Sequence, residues 1–183
     1  MAYLMGLTCH YVLDKTCHPY VVAHSPTAAE HRRMESAFDR HVMMKNQSKK
    51  SRYHDIPAGT LDYEAMTRLW PGMTVQTVRD CVKAERCYTR LLDHRKFLDL
   101  FEKAAKRPGE FTSMSLPKNV TEEQVPHVRF LDTLYKKALQ ECPERIENAV
   151  SLMGTKTLNG LGFEQNYLGQ AVPQAGGRSC MTE

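Results

Sequence analysis

The sequence predicts an all-α protein: about five helices in a small bundle or helical array, with an extended irregular arm at each end. Only two isoleucines occur in 183 residues, and leucine and methionine are prominent in the apolar set, which favours helices over strands. Two capping-box patterns, Thr27 with Glu30 and Thr121 with Gln124, each precede an apolar stripe of helical period. Half of the ten glycines fall in the last 24 residues, which predicts a C-terminal segment without regular structure.

The N-terminal elements follow from these signals. Residues 1–26 form the predicted N-terminal arm, because aromatic residues and Pro19 occur there without a sustained period. Thr27 then begins a helix whose apolar stripe starts at Met34. A polar, basic linker follows this helix over residues 45–54.

Two further helical stretches are predicted before residue 110. A short helix covers residues 61–70 and is stopped by Pro71. Thr74 begins the longest stretch, which extends to about residue 106 and can break at Asp93, since an aspartate there can cap a second helix. The apolar residues on roughly one face of this stretch are Val78, Cys81, Val82, Tyr88, Leu91, Leu92, Phe97, Leu98, Phe101, Ala104 and Ala105.

The last part of the helical body begins at the Thr121 capping box. Pro143 is predicted to end that helix, and a short final helix then reaches Gly154. Its apolar residues follow the 3-4-3-4 spacing of a helix-packing seam: Val128, Leu131, Tyr135, Ala138 and Cys142. The predicted organisation is therefore an extended N-terminal arm over 1–26, a helical body over 27–154 and an extended, glycine-containing arm over 155–183.

The sequence offers no recognisable catalytic motif. It has no phosphate-binding loop, dinucleotide-binding glycine motif, nucleophile elbow or HExxH pair. Its acidic, histidine and cysteine residues are scattered along the chain rather than clustered. We therefore predict that the protein is not an enzyme and that it holds no cofactor.

One cysteine–histidine arrangement provides an alternative to that prediction. Thiolates and imidazoles are ligands that zinc prefers. Four such residues lie in the predicted N-terminal arm: Cys9, His10, Cys17 and His18. Because adjacent ligand pairs depart from the usual Cys-x-x-Cys spacing, we predict no bound metal and keep zinc at these four residues as the alternative.

The helix around residue 135 carries two family resemblances. Its sequence Leu134-Tyr135-Lys136 resembles the signature of the LYR-motif family, small helical mitochondrial proteins that serve as accessory subunits and assembly factors of respiratory complexes. That resemblance implies a partner-binding site at these three residues, and it implies acyl carrier protein as a partner. The spacing of Tyr135, Ala138 and Pro143 is similar to the second half of a tetratricopeptide repeat. Both resemblances imply an α-helical, non-catalytic protein-binding unit.

The amino-acid composition predicts the compartment in which the protein works and whether it spans a membrane. Six cysteines in 183 residues are too sparse for a disulfide scaffold, which predicts a reducing, intracellular compartment. No apolar run approaches the length of a transmembrane helix, so no membrane-spanning segment is predicted. Leucine, isoleucine, valine and phenylalanine together make up about 20% of the chain, at the lower edge for a self-sufficient globule.

The lean apolar content and the two arms together predict a function. Ordering a residue costs about 1–2 kcal/mol, and arms of this composition bury too little surface alone to offset it. We therefore predict a structural accessory subunit of a large intracellular assembly, with a mitochondrial respiratory or ATP synthase complex as the first candidate. Helical faces and the arms would bind neighbouring subunits, with Phe163 and Tyr167 as anchors of the C-terminal arm. A position beside a membrane complex is compatible with this prediction.

The alternative is a ribosomal or other nucleoprotein accessory subunit. Its nucleic-acid contacts would come from the basic linker, through Lys49, Lys50 and Arg52. The net charge of only +4 and the absence of an RNA-binding signature make nucleic acid the less favoured partner.

Overall fold

The computed structural model describes residues 1–46, 61–70, 72–152 and 163–171, and it confirms the all-α prediction. Its helices are α1 (Ala2–Ala23), α2 (Ala28–Lys45), α3 (Tyr63–Thr67), α4 (Val75–Leu92), α5 (Arg95–Ala105) and α6 (Val125–Ser151), with a 3-10 turn at Thr112–Met114. Within the described residues the β structure is limited to a single bridge between Gln165 and Ala171.

The helices belong to two compact units rather than to one helical body over 27–154. The terminal-helix unit comprises Met1–Pro26 and Pro126–Glu183, and the central unit comprises Thr27–Val125. The predicted body is thus divided at the start of α6, because the N-terminal residues supply α6 with a helical partner that the sequence did not predict.

The N-terminal segment is the clearest departure from the sequence prediction. Ala2–Ala23 is a helix, not an extended arm. Its buried side chains combine a hydroxyl, a phenol and a thiol with two valines: Thr8, Tyr11, Val12, Cys17 and Val21. A count of aliphatic residues does not reveal such a stripe. Pro19 is tolerated near the end of the helix, where its missing amide hydrogen removes only the bond to Lys15.

The terminal-helix unit has its core between α1 and α6. Tyr11 and Val12 of α1 pack with Ala138 and Cys142 of α6. Contrary to the prediction, α6 does not end at Pro143 but continues to Ser151. Buried residues lie on both sides of the proline, Cys142 before it and Ala149 after it, and their packing offsets the interior proline's cost of about 3 kcal/mol.

The central unit begins with a complete capping box. The Glu30 amide donates to Thr27 Oγ1 over 3.2 Å, and the Thr27 amide donates to Glu30 Oε2 over 3.0 Å. Further along, Thr74 caps α4 by accepting a hydrogen bond from the Thr77 amide over 3.0 Å. The predicted break is present, since α4 ends at Leu92 and α5 starts at Arg95, but Asp93 ends α4 and does not cap α5, whose N-cap is His94 without a side-chain hydrogen bond.

A buried carboxylate holds the loop after α5. The helix ends at Lys106 in the left-handed conformation, with φ of +54°. Glu102 then accepts hydrogen bonds from the amides of Gly109 (2.9 Å), Phe111 (2.5 Å) and Thr112 (2.6 Å). Burial raises the pKa of the Glu102 carboxyl, but these hydrogen bonds outweigh it and the pKa lies below its ordinary value.

The same loop is fastened to α2. Ser36 Oγ donates to the Ser113 carbonyl over 3.0 Å, and Arg32 Nε donates to Ser113 Oγ over 3.0 Å. Gly109 turns the chain with φ of +78°, a conformation that glycine adopts without strain. The central unit therefore positions α5 through hydrogen bonds as much as through apolar packing.

Part of the predicted C-terminal arm is described. Residues 163–171 form a turn in which the Asn166 amide donates to the Gln170 carbonyl over 2.8 Å. The rest of that arm, 155–162 and 172–183, lies outside the described residues, as does most of the basic linker.

Candidate functional site

An open apolar groove lies within the terminal-helix unit, and we call it the α1–α6 groove. Its volume is about 360 Å³. It is lined by Leu4, Leu7, Thr8 and Tyr11 of α1, by Ala149 and Leu152 at the end of α6, and by Phe163 and Tyr167 of the 163–171 turn. The walls are thus mainly aliphatic and aromatic.

Two of the three hydroxyl groups on the lining residues, those of Thr8 and Tyr11, are already engaged. Thr8 Oγ1 donates to the Leu4 carbonyl over 2.8 Å, one helical turn back. Tyr11 Oη donates to the Gln165 carbonyl over 2.9 Å. The third hydroxyl belongs to Tyr167, so hydrogen-bonding groups are a small part of a mainly apolar lining.

Aromatic contacts join the turn to α1. The Tyr11 ring lies 5.2 Å from the Phe163 ring and 5.7 Å from the Tyr167 ring, measured between centroids. Tyr11 itself is buried, and burial raises the pKa of its phenol despite the hydrogen bond to Gln165. Tyr11 is therefore a packed, neutral wall residue at physiological pH.

A glycine sets how closely the turn approaches α1. Gly169 has φ of +71°, and a Cβ atom there would lie 2.8 Å from the Lys15 carbonyl oxygen and 3.0 Å from Pro19 Cγ. Pro19 lacks the amide hydrogen that would bond this carbonyl in a regular helix. The conformation and the space at position 169 both require glycine, and this close approach places Tyr167 on the groove.

An ion-pair network lies beside the core of the same unit. Glu141 accepts hydrogen bonds from Lys15 Nζ and, over 2.7 Å, from Arg145 Nε. Burial raises the pKa of the Glu141 carboxyl, but Lys15 and Arg145 outweigh it and hold the pKa below its ordinary value. The Lys15 side chain is only 7% exposed, so the pair links α1 to α6 away from water.

Two cysteines of this unit, Cys17 and Cys142, are buried thiols. Burial, with Asp14 nearby, raises the pKa of the Cys17 thiol to about 11, and burial with Cys9 nearby raises that of Cys142 to about 11. On α1, Cys9 and Cys17 are separated by eight residues, a rise of about 12 Å. The helix therefore keeps the two cysteine–histidine pairs, with His10 and His18, from converging on one zinc ion.

The predicted partner-binding residues fall at two places. Phe163 and Tyr167 line the α1–α6 groove. Leu134 and Tyr135 are half-buried on α6, and Lys136 is exposed with its Nζ 2.9 Å from Asp132 Oδ2. These three are not among the groove residues. The alternative nucleic-acid residues Lys49, Lys50 and Arg52 lie outside the described residues.

The α1 side of the groove was not predicted from the sequence. Leu4, Leu7, Thr8 and Tyr11 are spaced by three or four residues, the period of one helix face. That spacing was the available signal, but the apolar Met5 and Cys9 between these positions blur the face that it defines.

Comparison with known proteins adds no family. A scan against family models and searches of curated proteins and of solved structures found no match to this chain. Among the described helices, none combines the length and the apolar character needed to cross a bilayer.

Proposed function

We propose that this chain is a non-catalytic accessory subunit of a larger protein assembly, and that a neighbouring subunit inserts apolar side chains into the α1–α6 groove. One observation carries the proposal. Leu7 and Tyr167 border the groove and remain 40% and 44% exposed, so an apolar wall stands open to solvent. Exposed apolar patches of this kind mark interaction sites.

The chemistry of the walls favours a protein segment over a small polar ligand. Pockets for small molecules orient their ligand through a few directed polar groups. In this groove the hydroxyls of Thr8 and Tyr11 already donate within the chain. Leucine, methionine or phenylalanine side chains of a partner need no such groups, and a few of them fill a cavity of this size.

The apolar surface also continues beyond the groove. Tyr3 is 47% exposed and lies one helical turn before Leu7, on the same face of α1. A surface that extends along α1 suits a protein interface, where a buried apolar centre is surrounded by a wider contact area.

In its fuller form the proposal places the assembly in the mitochondrion, as a respiratory or ATP synthase complex, on the strength of the LYR resemblance. Acyl carrier protein or another subunit would then contact α6 at Leu134, Tyr135 and Lys136. The exposure of the Lys136 side chain, 60%, supports a contact at that end of the motif.

The experiment compares two matched leucine substitutions in affinity-tagged chains expressed in the native cells. Leu7→Glu puts a carboxylate on the groove wall, whereas Leu139→Glu puts one on an exposed position of α6 outside the groove lining. Native gels and mass spectrometry report the size and composition of the purified assembly, and circular dichroism checks that both variants fold.

We expect the wild type and Leu139→Glu to run in the same large assembly and Leu7→Glu to be released from it. Retention of Leu7→Glu at wild-type stoichiometry would contradict the groove proposal. A wild-type chain that is monomeric in native extracts would contradict the accessory-subunit proposal as a whole.

A further inference from the structure

Helix α5 presents a second apolar surface, in the central unit. Three large side chains protrude from it: Phe97 is 52% exposed, Leu100 68% and Phe101 47%. Spacings of three and four residues place them on one face of the helix. We call these three residues the α5 face.

Helix α5 is anchored by buried residues on the side opposite the α5 face. Leu98 is 2% exposed and Glu102 5% exposed on the opposite side of the helix, and Glu102 also binds the loop that follows. In front, the Phe97 and Phe101 rings are stacked with centroids 6.5 Å apart. The apolar surface is thus presented by an anchored helix rather than by a loose end.

Positive charge borders this face. Residues 95–107 contain five lysines and arginines and two acids, the buried Glu102 and the exposed Asp99, so positive charge is in excess there. Lys96 and Lys103 are both exposed and lie four residues before and three residues after Leu100, on the same row of the helix. A ligand for the α5 face therefore has to combine apolar groups with negative charge.

We infer that the α5 face docks on the surface of an anionic lipid bilayer. The helix would lie in the plane of the interface, with Phe97, Leu100 and Phe101 at the boundary between headgroups and acyl chains. Lys96 and Lys103 would then contact lipid phosphates. This inference concerns the central unit and does not rest on the function proposed for the α1–α6 groove.

The charges argue against a second copy of the chain as the occupant. In an antiparallel pair of α5 helices centred on Leu100, Lys96 of one copy approaches Lys103 of the other, and in a parallel pair Lys96 faces Lys96. Like charges at such positions are destabilising. An anionic bilayer instead attracts the same lysines.

A neighbouring cavity supports a lipid over a protein helix. At the junction of α4 and α5 a cavity of about 640 Å³ has apolar walls from Leu91 and Phe97, and its polar lining comprises Arg95, Lys96, His94 and the single carboxylate of Asp93. An acyl chain end fits the apolar walls, and the two cations outnumber the carboxylate beside a phosphate. The α5 face itself projects outward at Leu100 rather than forming a groove for a helix.

The test is sedimentation of the purified full chain with phosphatidylcholine vesicles, with or without phosphatidylserine. We expect binding to the phosphatidylserine vesicles that is about tenfold weaker without the anionic lipid and that falls as salt is raised. Leu100→Ser and the double variant Lys96→Glu, Lys103→Glu should each reduce binding about tenfold or more. All three positions are exposed, so the fold is retained, as circular dichroism checks.

Matched controls are Leu139→Ser, an exposed leucine of the other unit, and Lys83→Glu, an exposed lysine of α4. Both should bind vesicles as the wild type does, and so should Leu7→Glu, which separates this test from that of the groove. Absence of wild-type binding overturns the inference, as does equal binding by Leu100→Ser. A wild-type dimer in sedimentation velocity that Leu100→Ser converts to monomer, without vesicle binding, would instead assign the face to self-association.

Discussion

The two units of this protein are stabilised in different ways. In the terminal-helix unit the most deeply buried side chains are apolar: Val12, Val128, Leu131 and Ala138 are each at most 2% exposed, and the buried polar side chains are the hydroxyls of Thr8 and Ser25. In the central unit apolar burial is accompanied by four buried polar side chains, Ser36, Glu102, Ser113 and Ser115. One unit relies on packing of two long helices, and the other on hydrogen bonds that position a loop.

This difference determines which substitutions destabilise each unit most. Apolar packing tolerates substitutions that conserve side-chain volume, whereas a buried acceptor that is removed leaves its donors unsatisfied. In the central unit three backbone amides depend on the single carboxylate of Glu102. A substitution at Glu102 is therefore the most direct test of this difference between the units.

Glu102→Ala should produce the largest loss of stability. It removes the acceptor for the amides of Gly109, Phe111 and Thr112, and we expect the central unit to lose about 2–3 kcal/mol of unfolding free energy. Urea denaturation gives the free energy, and amide exchange at 109–112 locates the change. The matched control is Glu110→Ala, whose carboxylate is 39% exposed and pairs with Arg107, and it should cost less than about 0.5 kcal/mol. Equal effects of the two substitutions would mean that the Glu102 hydrogen bonds do not hold the loop.

The two units should also differ, by a smaller amount, in how much stability each loses on acidification. The pKa values of Glu102 and Glu141 both lie below the ordinary 4.5 when folded. The unfolded chain therefore binds more protons as the pH falls below that value, and the stability contributed by each carboxylate, present above it, is lost as the pH falls through the folded pKa. Both units should lose stability on acidification below about pH 4.5.

The terminal-helix unit should lose more unfolding free energy for each proton bound than the central unit does. Protonating Glu141 removes the counter-charge of Lys15, whose side chain is 7% exposed, whereas the groups that bond to Glu102 are uncharged. Amide exchange measured from neutral pH to below pH 4 follows each unit separately. Glu141→Gln should flatten the pH dependence of α6, and Glu102→Gln that of the 109–112 loop. If each substitution changed the other unit's profile instead, the assignment of these carboxyls would be wrong.

Local signals made much of the central unit predictable from sequence. The box at Thr27 and the cap at Thr74 depend on side chains that bond to backbone groups within a few residues. Such interactions can be recognised from short sequence patterns. The Glu102 hydrogen bonds also span only ten residues, but they join a helix to an irregular loop and leave no periodic trace.

The functional surfaces were less predictable, for two physical reasons. Helix α1 was missed because its buried stripe contains Thr8 and Cys17, so that half of the α1–α6 groove was missed with it. On α4 and α5, Val78 and Leu98 are buried whereas Tyr88, Phe97 and Phe101 of the same predicted face are exposed. Hydrophobic periodicity identifies a face that avoids water, but it does not distinguish packing within the chain from packing on another molecule.

Gly6→Ala is expected to change the unfolding free energy least. It tests whether α1, the helix that pairs with α6 in the terminal-helix unit, is continuous. Gly6 lies inside α1, and a Cβ atom there would have no neighbour within 4 Å. Alanine should therefore stabilise the terminal-helix unit by about 0.5–1 kcal/mol through helix propensity alone. Gly109→Ala is the opposite case, since φ is +78° and its Cβ would lie 2.2 Å from a guanidinium nitrogen of Arg33. Urea denaturation should show a gain for the first and a loss for the second. No gain from Gly6→Ala would mean that α1 is not a continuous helix at this position, and the paired-helix account of the terminal unit would lose its first element.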